Sequence, residues 1–178
     1  MKKKLVVCTL CGMMAMSAIT CGMGCNVFAA DNGEAPVIAT QKEGEQIPNP
    51  WKEYTSVKDA ENAVGFSVKL PKKISGYTKD MIQAIDGSFL QVFYKNGNKE
   101  ILIRKALVSQ GKDISGDYNV YDVTKKVTVK GKKGKVTIKG TEKKKNLAVW
   151  SDGTYSYSLY TSAGMSQKAL IRLVKQVQ

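Results

Sequence analysis

The sequence predicts an α+β domain: an antiparallel, hairpin-connected sheet of about seven or eight strands, with a short N-terminal helix and a C-terminal amphipathic helix packed on it. Three observations point there. Alternating apolar runs are separated by the dipeptides Asp86-Gly87, Asn96-Gly97 and Asp152-Gly153, each suited to a two-residue turn with positive φ. Apolar residues at helical spacing occur only at the two ends of the ordered region. No helical pattern lies between strands, which excludes the crossover helices of a doubly wound parallel sheet.

Residues 1–30 read as a signal peptide. Lys2, Lys3 and Lys4 form a basic start, Leu5 to Phe28 carries no charge, and Val27-Phe28-Ala29 or Phe28-Ala29-Ala30 supplies a processing site. The apolar run is long, so an N-terminal helix left uncleaved as an anchor is the alternative. Lipoprotein processing at Cys21 or Cys25 is disfavoured, because the residues before each lack the required pattern. All four cysteines, Cys8, Cys11, Cys21 and Cys25, lie inside this segment. An exported chain without cysteine has no disulfides, so its apolar core must hold it together. Without the leader, 148 residues remain, and taking its three lysines from the +13 of the whole chain leaves +10. That length suits one domain burying about two-thirds of its unfolded surface. Residues 31–48, rich in Asp, Glu, Gly, Pro and Gln, read as a flexible spacer, and 49–178 as a single α+β domain.

Within that domain, Thr55 or Ser56 caps a short helix, Ser56 and Asp59 having capping-box spacing, and Gly65 ends it. Val57, Ala60 and Val64 share its apolar side. Phe66 to Leu70 alternates and is stopped by Pro71, which predicts a strand. Asp86-Gly87 joins Met81–Ile85 to Ser88–Tyr94, and Asn96-Gly97 joins that strand to Lys99–Leu107. The second register pairs Val92 with Ile101 and Leu90 with Ile103 on one face, leaving Phe89, Gln91, Phe93, Glu100, Leu102 and Arg104 on a mixed face. In the turn-rich stretch Gly111 to Tyr121, Asp113 and Asp117, with Asp122 just beyond, lack the spacing of a calcium loop and read as turn formers.

Val123 to Lys145 holds ten lysines and still reads as a strand pair. Val127, Val129, Val136 and Ile138 alternate toward one side, and the connection Gly131 to Gly134 sets Lys130 opposite Lys135. Like charges in cross-strand opposition are unfavourable. One role for them is to block edge-to-edge aggregation, and the other is to attract a polyanion. The anion-binding candidates are Lys130, Lys132, Lys133, Lys135 and Lys139.

Leu147 to Thr161 predicts the last hairpin. An Asp152-Gly153 turn sets Trp150 opposite Tyr155 and Ala148 opposite Tyr157, with Leu159 on the same face. Trp150, Tyr155 and Tyr157 are candidates to stack on a ligand. The helix that follows, capped by Ser166 and striped by Leu170, Leu173, Val174 and Val177, supplies a cover for them. At about 12 residues it is marginal alone and needs the sheet.

With neither His nor Cys after the leader, Ser-His-Asp and Cys-His triads and histidine- or thiolate-bound metals are excluded. No phosphate loop is present, and Ser109 to Lys112 has Ser-x-x-Lys spacing only within a turn. No catalytic residue, metal site or cofactor is assigned, and the chain is not read as an enzyme.

Several motifs carry a family resemblance: Asn49-Pro50-Trp51, Ala63-Val64-Gly65-Phe66, Leu70-Pro71, Ser115-Gly116-Asp117-Tyr118, Ala148 to Gly153 and Tyr155 to Leu159. Together they resemble a domain of unknown function found in exported proteins of Gram-positive bacteria, including the extracellular parts of anti-sigma-factor-like membrane proteins. The resemblance spans about Asn49 to Val177 and implies a non-catalytic envelope domain without catalytic residues to transfer. Before its leader the chain has no cytoplasmic segment that could hold a sigma factor, so direct anti-sigma activity is not expected. The function expected is an exported cell-envelope binding module, secreted or envelope-associated, whose basic face contacts anionic wall polymer or a membrane surface. The alternative is an extracellular protein-interaction or apolar-ligand carrier domain, with an envelope protein as partner. Export argues against nucleic acid.

Overall fold

The computed structural model describes residues 48–178. The expected signal peptide with the four cysteines, and the expected spacer up to residue 47, lie outside the described residues. Eight strands form one antiparallel sheet: β1 (Lys52–Glu53), β2 (Thr78–Ile85), β3 (Phe89–Asn96), β4 (Lys99–Leu107), β5 (Val123–Thr128), β6 (Lys135–Gly140), β7 (Lys145–Ser151) and β8 (Tyr155–Met165). Their order is β1-β2-β3-β4-β8-β7-β6-β5. Two meanders therefore meet at the β4–β8 seam. The connection from β4, in the middle, to β5, at the far edge, must cross β8, β7 and β6. Helices α1 (Val57–Val64) and α2 (Gln167–Val174) lie near the two ends of the described residues.

Both helices form for the reasons the sequence contains. The Ser56 hydroxyl accepts the Asp59 N–H at 3.1 Å, and Gly65, at φ 77°, donates its N–H to Glu61 to end α1. Ser166 caps α2 by accepting the Ala169 N–H at 3.3 Å. Leu170, Leu173, Val174 and Val177 then join Ala60, Val64, Leu90, Val92, Ile103, Trp150, Tyr157 and Leu159 in one core on one face of the sheet. α2 is eight residues long, shorter than its apolar stripe, because Gln176 and Val177 continue in tighter turns that bond to Leu173 and Val174.

The expected strand over 66–70 does not form. Phe66 and Val68 are buried, as the alternation requires, but Lys69 exchanges both backbone hydrogen bonds with Gln178, at 2.7 and 3.0 Å. The segment closes on the residues after α2, and the β2 edge is taken instead by β1, whose Lys52 and Glu53 pair with Ala84 and Gln83.

Two hairpin registers also differ from expectation, each by two residues. β3 and β4 turn at Gly97-Asn98, so Val92 pairs with Ile103 and Tyr94 with Ile101. In the β7–β8 hairpin Ser151 pairs with Ser156, Trp150 with Tyr157 and Ala148 with Leu159. Its loop is longer because the Asp152 carboxylate accepts the N–H groups of Thr154 and Tyr155, at 2.9 and 2.8 Å, building an Asx-type turn. A two-residue slip keeps every side chain on its face. The predicted faces therefore survive the changed pairings.

In the β5–β6 hairpin the Lys130–Lys135 opposition is replaced. Lys132 donates its N–H to the Val129 carbonyl, so the chain turns before Lys130 can enter the ladder, and Lys135 pairs with Thr128. Val127 and Val136 pair as their common face requires.

The second face of the sheet is covered at its centre by the crossing segment 108–122. Ile114 and Ser115 are buried with Leu102, Ala106, Leu147 and Val149. Arg104 fixes the crossing by donating to the carbonyls of Ile114 and Ser115, and the Ser156 hydroxyl donates to the Gly111 carbonyl at 2.6 Å. Asp113 and Asp117 act as turn formers, accepting from Ser115 and from Asn119 and Tyr121 respectively.

Candidate functional site

Alternation along β5 and β6 sends Lys126, Lys135, Thr137 and Lys139 to the second face, beyond the edge of the crossing segment. There Lys126, Lys135 and Lys112 surround an open depression of about 550 Å³ whose lining includes Val108, Thr137 and Val149. No acidic side chain lines it. Lys112, Lys126 and Lys135 are exposed and have no salt-bridge partner among the described residues. Three exposed ammonium groups around a partly apolar floor concentrate positive charge at this depression.

The five lysines expected to bind anions do not form one patch. Lys135 lies in the groove, while Lys130 and Lys133 are exposed in the turn between β5 and β6. Lys139 is held 3.1 Å from the Asp113 carboxylate. Lys132 turns to the opposite face, where its ammonium donates to the Val177 carbonyl and lies 5.5 Å from the Trp150 ring centroid. Burial lowers the Lys132 pKa, and Lys69 and Lys105 lower it further against the opposing pull of Asp152. Lys112 and Lys126 join Lys135 in the groove although neither is among the five lysines expected from the sequence. The signal for Lys126 was its parity with Lys135 across a ladder whose Val127–Val136 pair faces the core; Lys112 arrives by the crossing, which no local pattern encodes.

The aromatic candidates are packed rather than open. Trp150 and Tyr157 are each 3% exposed and stack at 5.2 Å with 2° between their planes. Tyr155 is half-buried, with the Lys105 ammonium 4.2 Å from its ring centroid. A cleft of about 210 Å³ remains beside the pair, lined by Lys132, Lys133, Asp152 and Gln178. Asp152 is anchored there. Burial pushes its pKa up, but hydrogen bonds from the Tyr155 N–H, the Tyr157 hydroxyl and the Thr154 N–H, with the Lys105 charge, outweigh burial and hold it below the usual carboxylate value.

Among the described residues no group of three or more His, Cys, Asp or Glu could hold a metal ion, and no helix is long and apolar enough to cross a membrane.

A sheet of two meanders, one face under helices and the other under a single crossing strap, defines the class as an α+β domain with a basic, open end. The chain belongs to the DUF4367 family, described as a domain of unknown function, whose sequence profile matches residues 68–177. That match runs from the segment before β2 through α2, leaving β1, α1 and the Asn49-Pro50-Trp51 motif outside it. No curated protein and no solved structure matches the chain.

Proposed function

We propose that this domain is a non-catalytic, exported cell-envelope binding module whose Lys112–Lys126–Lys135 groove contacts the phosphate or carboxylate groups of an anionic wall polymer or of lipid headgroups. The observation that carries the reading is the grouping of three lysines, drawn from the crossing segment, β5 and β6, around one depression without an acidic lining. The +10 charge left once the three lysines of residues 1–30 are taken from +13 adds long-range attraction, and the leader-like pattern of those residues supports the exported compartment. Affinity then comes from many weak, exposed contacts, each screened by salt.

The test is sedimentation with purified Gram-positive cell walls, with phosphatidylglycerol vesicles and with phosphatidylcholine vesicles, over a salt series. Binding to walls or to anionic vesicles that weakens with salt, and that drops about tenfold when Lys112, Lys126 and Lys135 are all changed to Gln, supports the groove. Changing Lys58, Lys72 and Lys99 to Gln removes the same charge elsewhere on the surface. An equal loss in that control would overturn the assignment to the groove.

A further inference from the structure

The turn between β5 and β6 carries a lysine that the basic groove leaves out. Lys132 reaches to the helix face and lines the cleft of about 210 Å³ beside the Trp150–Tyr157 stack, together with Lys133 and Asp152. Drug-sized ligands occupy sites of about 300 Å³ and more, so this cleft admits only a small compound. Neither Lys132 nor Lys133 has a salt-bridge partner among the described residues.

The Lys132 ammonium is half-buried over the Trp150 ring, and its donation to the Val177 carbonyl fixes the nitrogen at the cleft wall. Two further cations act on it: Lys69, from the segment after α1, and Lys105, from β4. The one acidic residue lining the cleft is already committed. Asp152 accepts the Thr154 and Tyr155 N–H groups and the Tyr157 hydroxyl, so it attracts Lys132 through charge without forming an ion pair with it. A lysine desolvated beside other cations, with no carboxylate of its own, is the setting in which amines act as nucleophiles. Burial first, then Lys105 and Lys69, outweigh the pull of Asp152 and lower the Lys132 pKa, which enriches the neutral amine relative to an exposed lysine.

We propose that Lys132 forms an imine with a small carbonyl acid, of the 2-oxo acid type, held in this cleft. The neutral amine, its proton released to water, adds to the carbonyl carbon, and the C–N bond forms as the carbonyl π pair moves onto oxygen. That oxygen then leaves as water with the two amine protons, which gives C=N without any oxidant or reductant. Once protonated, the imine keeps one N–H for the Val177 carbonyl. Lys133, lining the same cleft, supplies a charge for the acid's carboxylate, and Lys69 and Lys105 favour an anion over a neutral carbonyl compound. Lys132 and Lys133 are not groove residues, so wall binding and imine formation stand or fall separately.

The probe is glyoxylate, with cyanoborohydride to reduce any imine to a stable secondary amine, and peptide mass spectrometry of the whole chain reads the label at each lysine. At pH 7.5 and short times Lys132 should be labelled about tenfold faster than Lys58 on α1 and Lys130 in the same turn, both of which are exposed. Its labelling rate should also reach a plateau at lower pH than theirs. Glycolaldehyde, which is uncharged, should show a smaller preference for Lys132 over Lys58. Lys133→Gln should bring the preference seen with glyoxylate down towards that seen with glycolaldehyde. Labelling of Lys132 no faster than of Lys58 and Lys130, or pH profiles that coincide, would overturn the nucleophile. Equal preference with both aldehydes would overturn the carbonyl acid as its ligand.

Discussion

The Lys105 ammonium lies 4.2 Å from the ring centroid of Tyr155 inside the core, with the Tyr157 and Phe66 rings at 5.2 and 5.6 Å and the Ser67 carbonyl accepting its proton at 2.7 Å. Register places it on the helix face, where Leu90 and Tyr157 are its partners across β3 and β8. A cation on a residue only 6% exposed is tolerated there because three π faces and one carbonyl replace its water. Lys105→Ala should destabilise the domain by about 3 kcal/mol, since it opens a cavity and leaves the carbonyl and rings without their cation. Lys105→Met should cost about 1 kcal/mol, because an apolar side chain of similar length fills the cage. Urea unfolding of the two variants checks the contrast.

The same lysine predicts a pH dependence. Burial lowers its folded pKa, only partly countered by Asp152 and Glu61. The unfolded chain, with the model-peptide pKa of 10.5, therefore binds more protons than the native one in the window between the folded pKa and 10.5. Stability rises with pH across that window. Relative to Lys105→Met, in which the group is gone, the native protein should gain stability between pH 8 and pH 10. Paired denaturant titrations at those two pH values read the difference directly, and a gap that stays constant or narrows contradicts the buried, destabilised charge.

Arg104 makes the second test, on the other face. Glu53, Gln83, Gln91 and Arg104 stand in one register row across β1 to β4, and their side chains are hydrogen-bonded in series at 3.3, 2.7 and 2.8 Å. The row ends where Arg104 grips the crossing segment. Gly116 permits that grip: it sits at φ 62°, and a Cβ there would stand 2.7 Å from the Arg104 Nη1. Gly116→Ala should cost about 1–2 kcal/mol from backbone strain and displacement of the guanidinium. Arg104→Met should cost about 3 kcal/mol, because the buried Ile114 and Ser115 carbonyls and Gln91 lose their donor. Hydrogen exchange should quicken at residues 111–121 in both variants while α2 stays protected.

How much of this arrangement can be read from the sequence depends on which quantity is asked for. Faces are legible. The period of two survives a slip of two residues, so Leu90, Val92, Ile101 and Ile103 share a face whether the turn is Asn96-Gly97 or Gly97-Asn98. Registers are less so, because side chains such as Asp152 lengthen a turn that the dipeptide alone would close. Lys105 was within reach, since Ile101, Ile103 and Lys105 alternate onto one face. The crossing segment, the Lys69–Gln178 pairing and the meeting of Lys112 with Lys126 and Lys135 rest on contacts distant in sequence that leave no periodic trace.

Asp152 predicts acid behaviour. Its pKa is depressed on folding, so its contribution is present above the unfolded value of 3.8 and is lost as pH falls through the lower folded value. Asp152→Asn removes the charge-assisted bonds to the Thr154 and Tyr155 N–H groups and to the Tyr157 hydroxyl, and should cost about 1–2 kcal/mol at pH 7. The gap between variant and native protein should narrow progressively as pH falls below 3.8. Thermal melts at pH 7 and pH 2.5 measure both ends.

The lysines of β5 divide by parity into two tasks, and this gives the sharpest separation. β5 is the last strand of the sheet, so its outer backbone groups have no strand beside them. Lys125 points to the helix face, paired across the ladder with Ile138, and is exposed; Lys126 points into the groove, paired with Thr137. On an open edge, a charge such as Lys125 makes strand addition by another copy unfavourable. Lys125→Val should raise self-association, seen as concentration-dependent dimers in sedimentation, and leave binding to anionic walls nearly unchanged. Lys126→Gln should do the reverse, weakening wall binding about threefold at low salt without creating dimers. If both variants lose wall binding equally, net charge rather than the groove governs attachment; if Lys125→Val stays monomeric, the edge is protected by its shortness and twist instead.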